Sequence, residues 1–302
     1  MKKTLACLLA FLLTVALMQS ALAGPTVFHA SIKSKAPFAT VQTVPQNPFG
    51  AQDDLLRVDF INIKIGDAIL VRAGGQSLMI DGGTNDKLPR VEEFLKSQNL
   101  SGFTYYFSSH WHDDHLKAAI RLVKKGYTAQ AFLGKYPLDT KIPEMRQLYA
   151  ELDASGVPYR QVVTGESLNL GGALITFFYD ERDTPDLGVN GKSMMAHIRF
   201  GERSLLLTAD VSGAGLTDLA ADFPHLMDVD VMKSPHHGLN RLAPEFFAAT
   251  SPEVVVLTTN MNNGRNLARQ LVNLAIPHYY ISMGTVSLYT DGQTWFVEQA
   301  SP

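Results

Sequence analysis

The chain holds a single cysteine among its 302 residues, Cys7, inside the apolar N-terminal stretch. That leaves no disulfide framework, no thiolate ligand and no cysteine nucleophile for the body of the chain. No internal repeat or low-complexity block interrupts the sequence, which argues against solenoids and propellers. An excess of positive charge is also missing: 26 Lys and Arg face 29 Asp and Glu, for a formal net charge of −3. A mildly acidic chain has no general attraction for nucleic acid, so no stable nucleic-acid complex is expected. One apolar run is long, Thr4 to Met18, and it is short for a membrane span. No serine-nucleophile motif stands out either, so any hydrolytic chemistry must come from other groups.

The N-terminal run has the layout of an export signal. Lys2-Lys3 precede the apolar stretch, and Ala21-Leu22-Ala23 form a small-x-small site before Gly24. The expectation is a signal peptide over residues 1–23 and an exported mature chain, periplasmic or secreted, with no membrane span. Cleavage would remove Cys7 together with Lys2 and Lys3, taking the formal charge from −3 to −5. Residues 24–53 carry Pro25, Pro37, Pro45 and Pro48 without periodicity and read as an N-terminal extension. Residues 54–302 suffice for one large domain, and a hydrophobic content of 46% suits a substantial core.

Short apolar runs read as strands over 55–63, 68–73, 78–80, 104–107, 173–178, 194–200, 204–207, 229–232, 254–257, 278–281 and 285–289. Helical patterns fall between them at 89–97, 116–125, 143–154 and 267–275. Strands with helices interspersed throughout predict a layered α/β fold.

The chemistry-bearing residues gather where such strands end. His110-Trp111-His112-Asp113-Asp114-His115 places three imidazoles and two carboxylates directly after the aromatic run ending at Phe107. His110 and His112, two apart at a strand end, can reach one ion, while Asp114 and His115 open a helix and point at a neighbouring position. Imidazole nitrogen and carboxylate oxygen are ligands that a borderline ion such as zinc accepts. Asp210 closes another apolar run, where one carboxylate can bridge two ions, and His236-His237 follow the run ending at Met232. An Asp at a strand end is more often a cap, and a His pair before Gly238 could line a loop. Three such groups, all at strand ends, point to a metal centre.

This order, Ile80-Asp81-Gly82-Gly83, then His-x-His-x-Asp-His, then Asp210, then His236-His237-Gly238, resembles the metallo-β-lactamase superfamily. More narrowly it is similar to the metallohydrolase domain of ComEC-like competence proteins and related secreted hydrolases. The narrower likeness rests on Val58-Asp59-Phe60-Ile61-Asn62, Gly66-Asp67-Ala68-Ile69-Leu70, Ser77 to Ile80, Ser193 to Phe200 and Asp230-Val231-Met232-Lys233. The resemblance implies a four-layer αββα sandwich with metals at one edge, Asp81 standing behind the ligands and orienting the histidine loop. Asn190 falls where the wider superfamily carries a further histidine. Asn263-Gly264-Arg265-Asn266 and Lys64-Ile65 also depart from the narrower pattern, which favours Gly-His-Pro and Gly-Gln.

The expected reaction is hydrolysis by metal-bound hydroxide, with two zinc ions, or manganese as the alternative. One ion would take His110 and His112, the other Asp114, His115 and His236, with Asp210 between. His237 either contacts substrate or exchanges roles with His236, so Asp114 and His237 are the candidate catalytic groups. A phosphoester or phosphodiester, small or polymeric, is the expected substrate. A β-lactam hydrolase and a non-catalytic metal-binding module are the alternatives.

Overall fold

The computed structural model describes residues 55–182 and 187–300, and in addition a two-residue strand at Ala39–Thr40. Apart from that strand, the expected signal peptide and extension lie outside the described residues. In chain order the strands are β1 (Ala39–Thr40), β2 (Leu56–Phe60), β3 (Ala68–Ala73), β4 (Gln76–Asp81), β5 (Gly102–Phe107), β6 (Thr128–Gly134), β7 (Tyr159–Gln161) and β8 (Ser167–Leu170). They continue with β9 (Ala173–Phe178), β10 (Met195–Phe200), β11 (Arg203–Leu207), β12 (Val231–Lys233), β13 (Val254–Leu257), β14 (His278–Tyr280), β15 (Val286–Thr290) and β16 (Trp295–Gln299). The helices are α1 (Leu88–Ser97), α2 (Asp113–Lys124), α3 (Pro143–Ala154), α4 (Gly188–Gly191), α5 (Ala214–Asp222), α6 (Pro244–Thr250) and α7 (Arg265–Asn273).

Two sheets carry the molecule. The first is nine-stranded in the order β1-β16-β15-β2-β3-β4-β5-β6-β7, and the second seven-stranded in the order β14-β13-β12-β11-β10-β9-β8. Side-chain alternation along a strand assigns each face. In β11, Leu205 and Leu207 join the core shared with the first sheet, while Leu206 joins the cluster of Leu216, Phe246 and Leu267 from α5, α6 and α7. The same alternation divides Val231 from Met232 in β12, and Val256 from Val255 and Leu257 in β13. On the other side, α1, α2 and α3 press Val91, Leu116, Leu122 and Leu148 onto the first sheet. Each such fully buried aliphatic side chain stabilises the packing by roughly 1.5–3 kcal/mol. The result is the αββα sandwich of the metallo-β-lactamase type.

The expected strands are present, with small shifts at their ends. The sequence pattern passes over β6, whose first half is exposed and built from small residues. It also passes over α5, which begins after Gly213 at φ 57° and contains Gly215. Helix α2 starts three residues earlier than its apolar periodicity indicates, because His112 takes the N-cap position and Asp113 and Asp114 occupy the first turn. Carboxylates are favoured there by the helix dipole.

Candidate metal centre

Parallel pairing sets β4 beside β5, with Ile80 opposite Phe107, so Asp81 stands next to the loop that leaves β5. Asp81 accepts hydrogen bonds from the Ser109 backbone N–H at 2.9 Å and the Ser109 hydroxyl at 2.7 Å. Its Oδ2 also lies 2.7 Å from His115 Nδ1. A carboxylate only accepts, so His115 carries its proton on Nδ1 and turns Nε2 away from Asp81.

In the second sheet, β11 and β12 run parallel with Leu207 opposite Lys233, so the chain leaves both strands at the same edge. Ala209, His236 and His237 all adopt left-handed backbone conformations, with φ of 45°, 46° and 57°. Such non-glycine residues cost about 1–3 kcal/mol each and persist where surrounding contacts over-determine them. Here the His236 N–H donates to the Ala209 carbonyl at 3.1 Å, tying the two loops together.

Both edges deliver their side chains to one place. His115 Nε2 and His237 Nε2 each lie 3.2 Å from Asp210 Oδ2, and His237 Nε2 is 3.3 Å from Asp114 Oδ2. One atom each from Asp67, His115, Asp210 and His237 lies within 4.8 Å of the others, and all four residues are buried. The His110 ring sits 4.1 Å from that of His115 and 4.8 Å from that of His112, which is half-buried at the rim. His110 Nε2, His115 Nε2, His237 Nε2 and Asp210 Oδ1 are buried without a hydrogen-bond partner. Orphaned buried polar atoms are costly and rare. Four of them, all able to donate a lone pair and crowded around one carboxylate, make a donor set that fits a divalent cation.

The protonation pattern reflects the same crowding. Burial pulls His115 down, but Asp210 and Asp81 outweigh it and hold the imidazole well above its usual range. Burial likewise opposes protonation of His237, yet Asp210 and Asp67 push it up to about 10. Burial would raise Asp210, and His115 and His237 instead hold it well below the usual carboxylate range. His110, short of a carboxylate at contact distance, is driven well down by burial and by neighbouring His115. Protons on His115 and His237 thus occupy the positions a divalent ion would neutralise, and binding such an ion must release them.

The two consecutive histidines separate. His237 enters the cluster, whereas His236 is half-buried, its Nε2 3.3 Å from Asn190 Nδ2 and its Nδ1 3.2 Å from Asn240 Nδ2. Asn190, in α4, therefore touches His236 and not the cluster. Asp113 pairs with Lys117 on the exposed face of α2, and Arg265 is exposed at the start of α7.

Asp67 and Lys233 stand in the centre, although the sequence names them only within the stretches that carry the narrower resemblance and assigns them no role there. Asp67 Oδ2 is 2.6 Å from Lys233 Nζ, and Asp67 Oδ1 is 3.2 Å from His237 Nδ1. A signal for each exists in the sequence: Asp67 follows a glycine at the start of a strand, and Lys233 ends an otherwise apolar one. Gly66 has φ 112°, and a Cβ there would meet the Asp114 carbonyl at 3.0 Å, so the residue before Asp67 has to be small.

A family model of the metallo-β-lactamase superfamily matches residues 62–247. Among solved structures, the metallo-β-lactamase fold protein YhfI from Bacillus subtilis is similar at 13% identity and a TM-score of 0.51, over 74% of this chain and 95% of YhfI. CmlA, a diiron β-hydroxylase from Streptomyces venezuelae, is similar at 14% identity and a TM-score of 0.50, over 74% of this chain. The match spans 52% of CmlA, about half its length. At such identities the likeness concerns the fold. Comparison with curated proteins finds no match.

Proposed function

This chain belongs to the metallo-β-lactamase superfamily, and from that premise we propose that it is an exported, zinc-dependent hydrolase of phosphoesters, related to the ComEC-like secreted hydrolases. The observation that carries the reading is the group of four buried ligand atoms without a hydrogen-bond partner, three imidazole nitrogens and Asp210 Oδ1. Asp114, His115 and His237 would hold one ion and His110 and His112 the other, with Asp210 shared. We assign His237 the ligand position in place of His236, since His237 Nε2 lies 3.2 Å from Asp210 Oδ2 while the ring nitrogens of His236 face Asn190 and Asn240. Bound divalent ions supply Lewis acidity and bring the pKa of water down to about 7.

The protein's own groups supply position and proton handling. Asp81 and Asp67 fix the orientations of His115 and His237 through their Nδ1 atoms. Asp114 has a side chain 38% exposed, against 2% for Asp210, and is the carboxylate that can exchange a proton with an arriving substrate at Oδ2. His236, held at the rim by Asn190 and Asn240, is placed to contact that substrate. A phosphodiester anion suits a centre that gathers positive charge. A β-lactam needs a cation to hold its carboxylate, and Lys233, the lysine buried in this centre, is already engaged with Asp67.

The test is turnover of bis(4-nitrophenyl) phosphate beside a penicillin and a carbapenem, with zinc or manganese added. Diester cleavage that chelation and His112→Ala both abolish is expected, and it should exceed any β-lactam turnover. Efficient β-lactam cleavage with the diester untouched would overturn the substrate assignment.

A further inference from the structure

A lysine with 0% exposure at the end of an apolar strand needs a reason, since apolar replacement of a buried ion pair is often neutral or stabilising. Lys233 Nζ is 2.6 Å from Asp67 Oδ2, donates to the Ala209 carbonyl at 2.7 Å and lies 3.6 Å from Asp210 Oδ1. It is thus held between the Asp67 carboxylate and the strained peptide immediately before Asp210, with the Asp210 carboxylate itself at ion-pair distance. Asp67 in turn offers Oδ1 to His237 Nδ1 at 3.2 Å, and its Oδ2 is 4.0 Å from His115 Nδ1. Antiparallel pairing of Ala68 with Asp81 brings Asp67 alongside Asp81, and both carboxylates line one small cavity with Ser109 and Lys233. The two residues that orient the histidines therefore share a floor, and Lys233 is the cation in it.

We propose that Lys233 is a positioning residue: it anchors Asp67 as the acceptor for His237 Nδ1–H, so that His237 presents Nε2 to the metal centre. The inference rests on the metal-centre reading above. The geometry gives the reason an anchor is needed. His237 Nδ1 also lies 3.0 Å from Thr258 Oγ1, a hydroxyl that can donate as well as accept. With Thr258 alone, the proton could sit on either imidazole nitrogen. An anchored carboxylate removes that choice, because it only accepts. Orienting partners of this kind typically change metal affinity by 10–100-fold. Lys233 also holds the Ala209 carbonyl, so the same side chain sets the direction of Asp210 and of His237.

The experiment compares wild type with Lys233→Met, and with the double variant Asp67→Leu/Lys233→Met, which removes the pair without leaving a buried charge. Zinc affinity is read by competition with a chromophoric chelator, melting temperature by calorimetry, and the protonated nitrogen of His237 by long-range 1H–15N spectra of zinc-loaded protein. The double variant is expected to melt near wild type while binding zinc about 10–100-fold more weakly. In wild type the proton should be on Nδ1. Wild-type zinc affinity in the double variant would reduce the pair to a structural role and overturn the proposal. So would a wild-type spectrum with zinc on Nδ1, a result that does not depend on any variant folding. Failure of wild type itself to bind zinc would instead overturn the metal-centre reading.

Discussion

Stripping the centre of metal should make the protein less stable as pH rises from 6.5 to 8. His237 is pushed up to about 10, because Asp210 and Asp67 outweigh its burial, whereas an unfolded histidine titrates near 6.5. A group whose folded value is raised stabilises fully below the unfolded value and loses that contribution as pH climbs towards the folded one. From these two values the contribution is on the order of 5 kcal/mol at low pH and roughly 3 kcal/mol at pH 8. About 2 kcal/mol is therefore lost over the window, or about 4–8 °C in melting temperature for a chain of this size. His115, also raised by Asp210 and Asp81 against its burial, acts in the same direction. His110, His197 and His236, all lowered by burial, offset part of this near pH 6.5, and Lys135, which burial brings down to about 8, works in the same opposing sense above that pH, so the window closes there. Calorimetry after chelation, at matched ionic strength, measures the trend. Asp210→Asn should flatten it, since Asp210 is the largest influence raising both histidines. Zinc-loaded protein should show a stabilisation that grows with pH, because the metal competes with those protons. A chelated wild type whose melting temperature stays level or rises from pH 6.5 to 8 would refute the reasoning.

Further outcomes are expected. Asp210→Ala should lose metal at both positions, since one carboxylate faces His115 and His237, and the His110 ring lies 4.1 Å from that of His115; full occupancy by elemental analysis would remove its bridging role. His237→Ala should lower zinc content, while His236→Ala should leave content near wild type and raise KM for the diester. Equal zinc loss in both variants would contradict the separation of the pair. Intact mass of exported protein should correspond to a chain starting at Gly24, and a mass retaining Met1 to Ala23 would count against export by a cleaved signal.

The fold was legible wherever strands are continuous apolar runs. β9 and β13 coincide with theirs, β13 buried on both faces and β9 with Leu174 left exposed. α5 and β16 were not, the first because Gly213 at its N-cap and Gly215 inside it hide the helical signal and the second because three of its five residues are only partly buried. In the site, the His-x-His-x-Asp-His cluster and Asp210 stood out as clustered ligand types. His236 and His237 could not be told apart, since their separation depends on two successive left-handed residues that no side-chain pattern records. Asp67, visible only as part of a resembling stretch, had no role legible in the sequence for a related reason: its partners Lys233 and His237 lie more than 160 residues along the chain.

Asp67, Asp81 and the histidine cluster come from the first sheet, Asp210 and His237 from the second. A divalent ion held between them would be a fastener across the seam, and its grip is available only after the two halves have docked. The first half brings His110, His112, Asp114 and His115 and the second brings Asp210 and His237, so the full ligand set exists only in the docked pair. Metal uptake would then come late in folding and draw its strength from sheet–sheet contact. A substitution that loosens the seam at its far end, at Gly74 for instance, where a Cβ would meet the Gly171 backbone at 2.7 Å, would weaken metal binding without touching the centre.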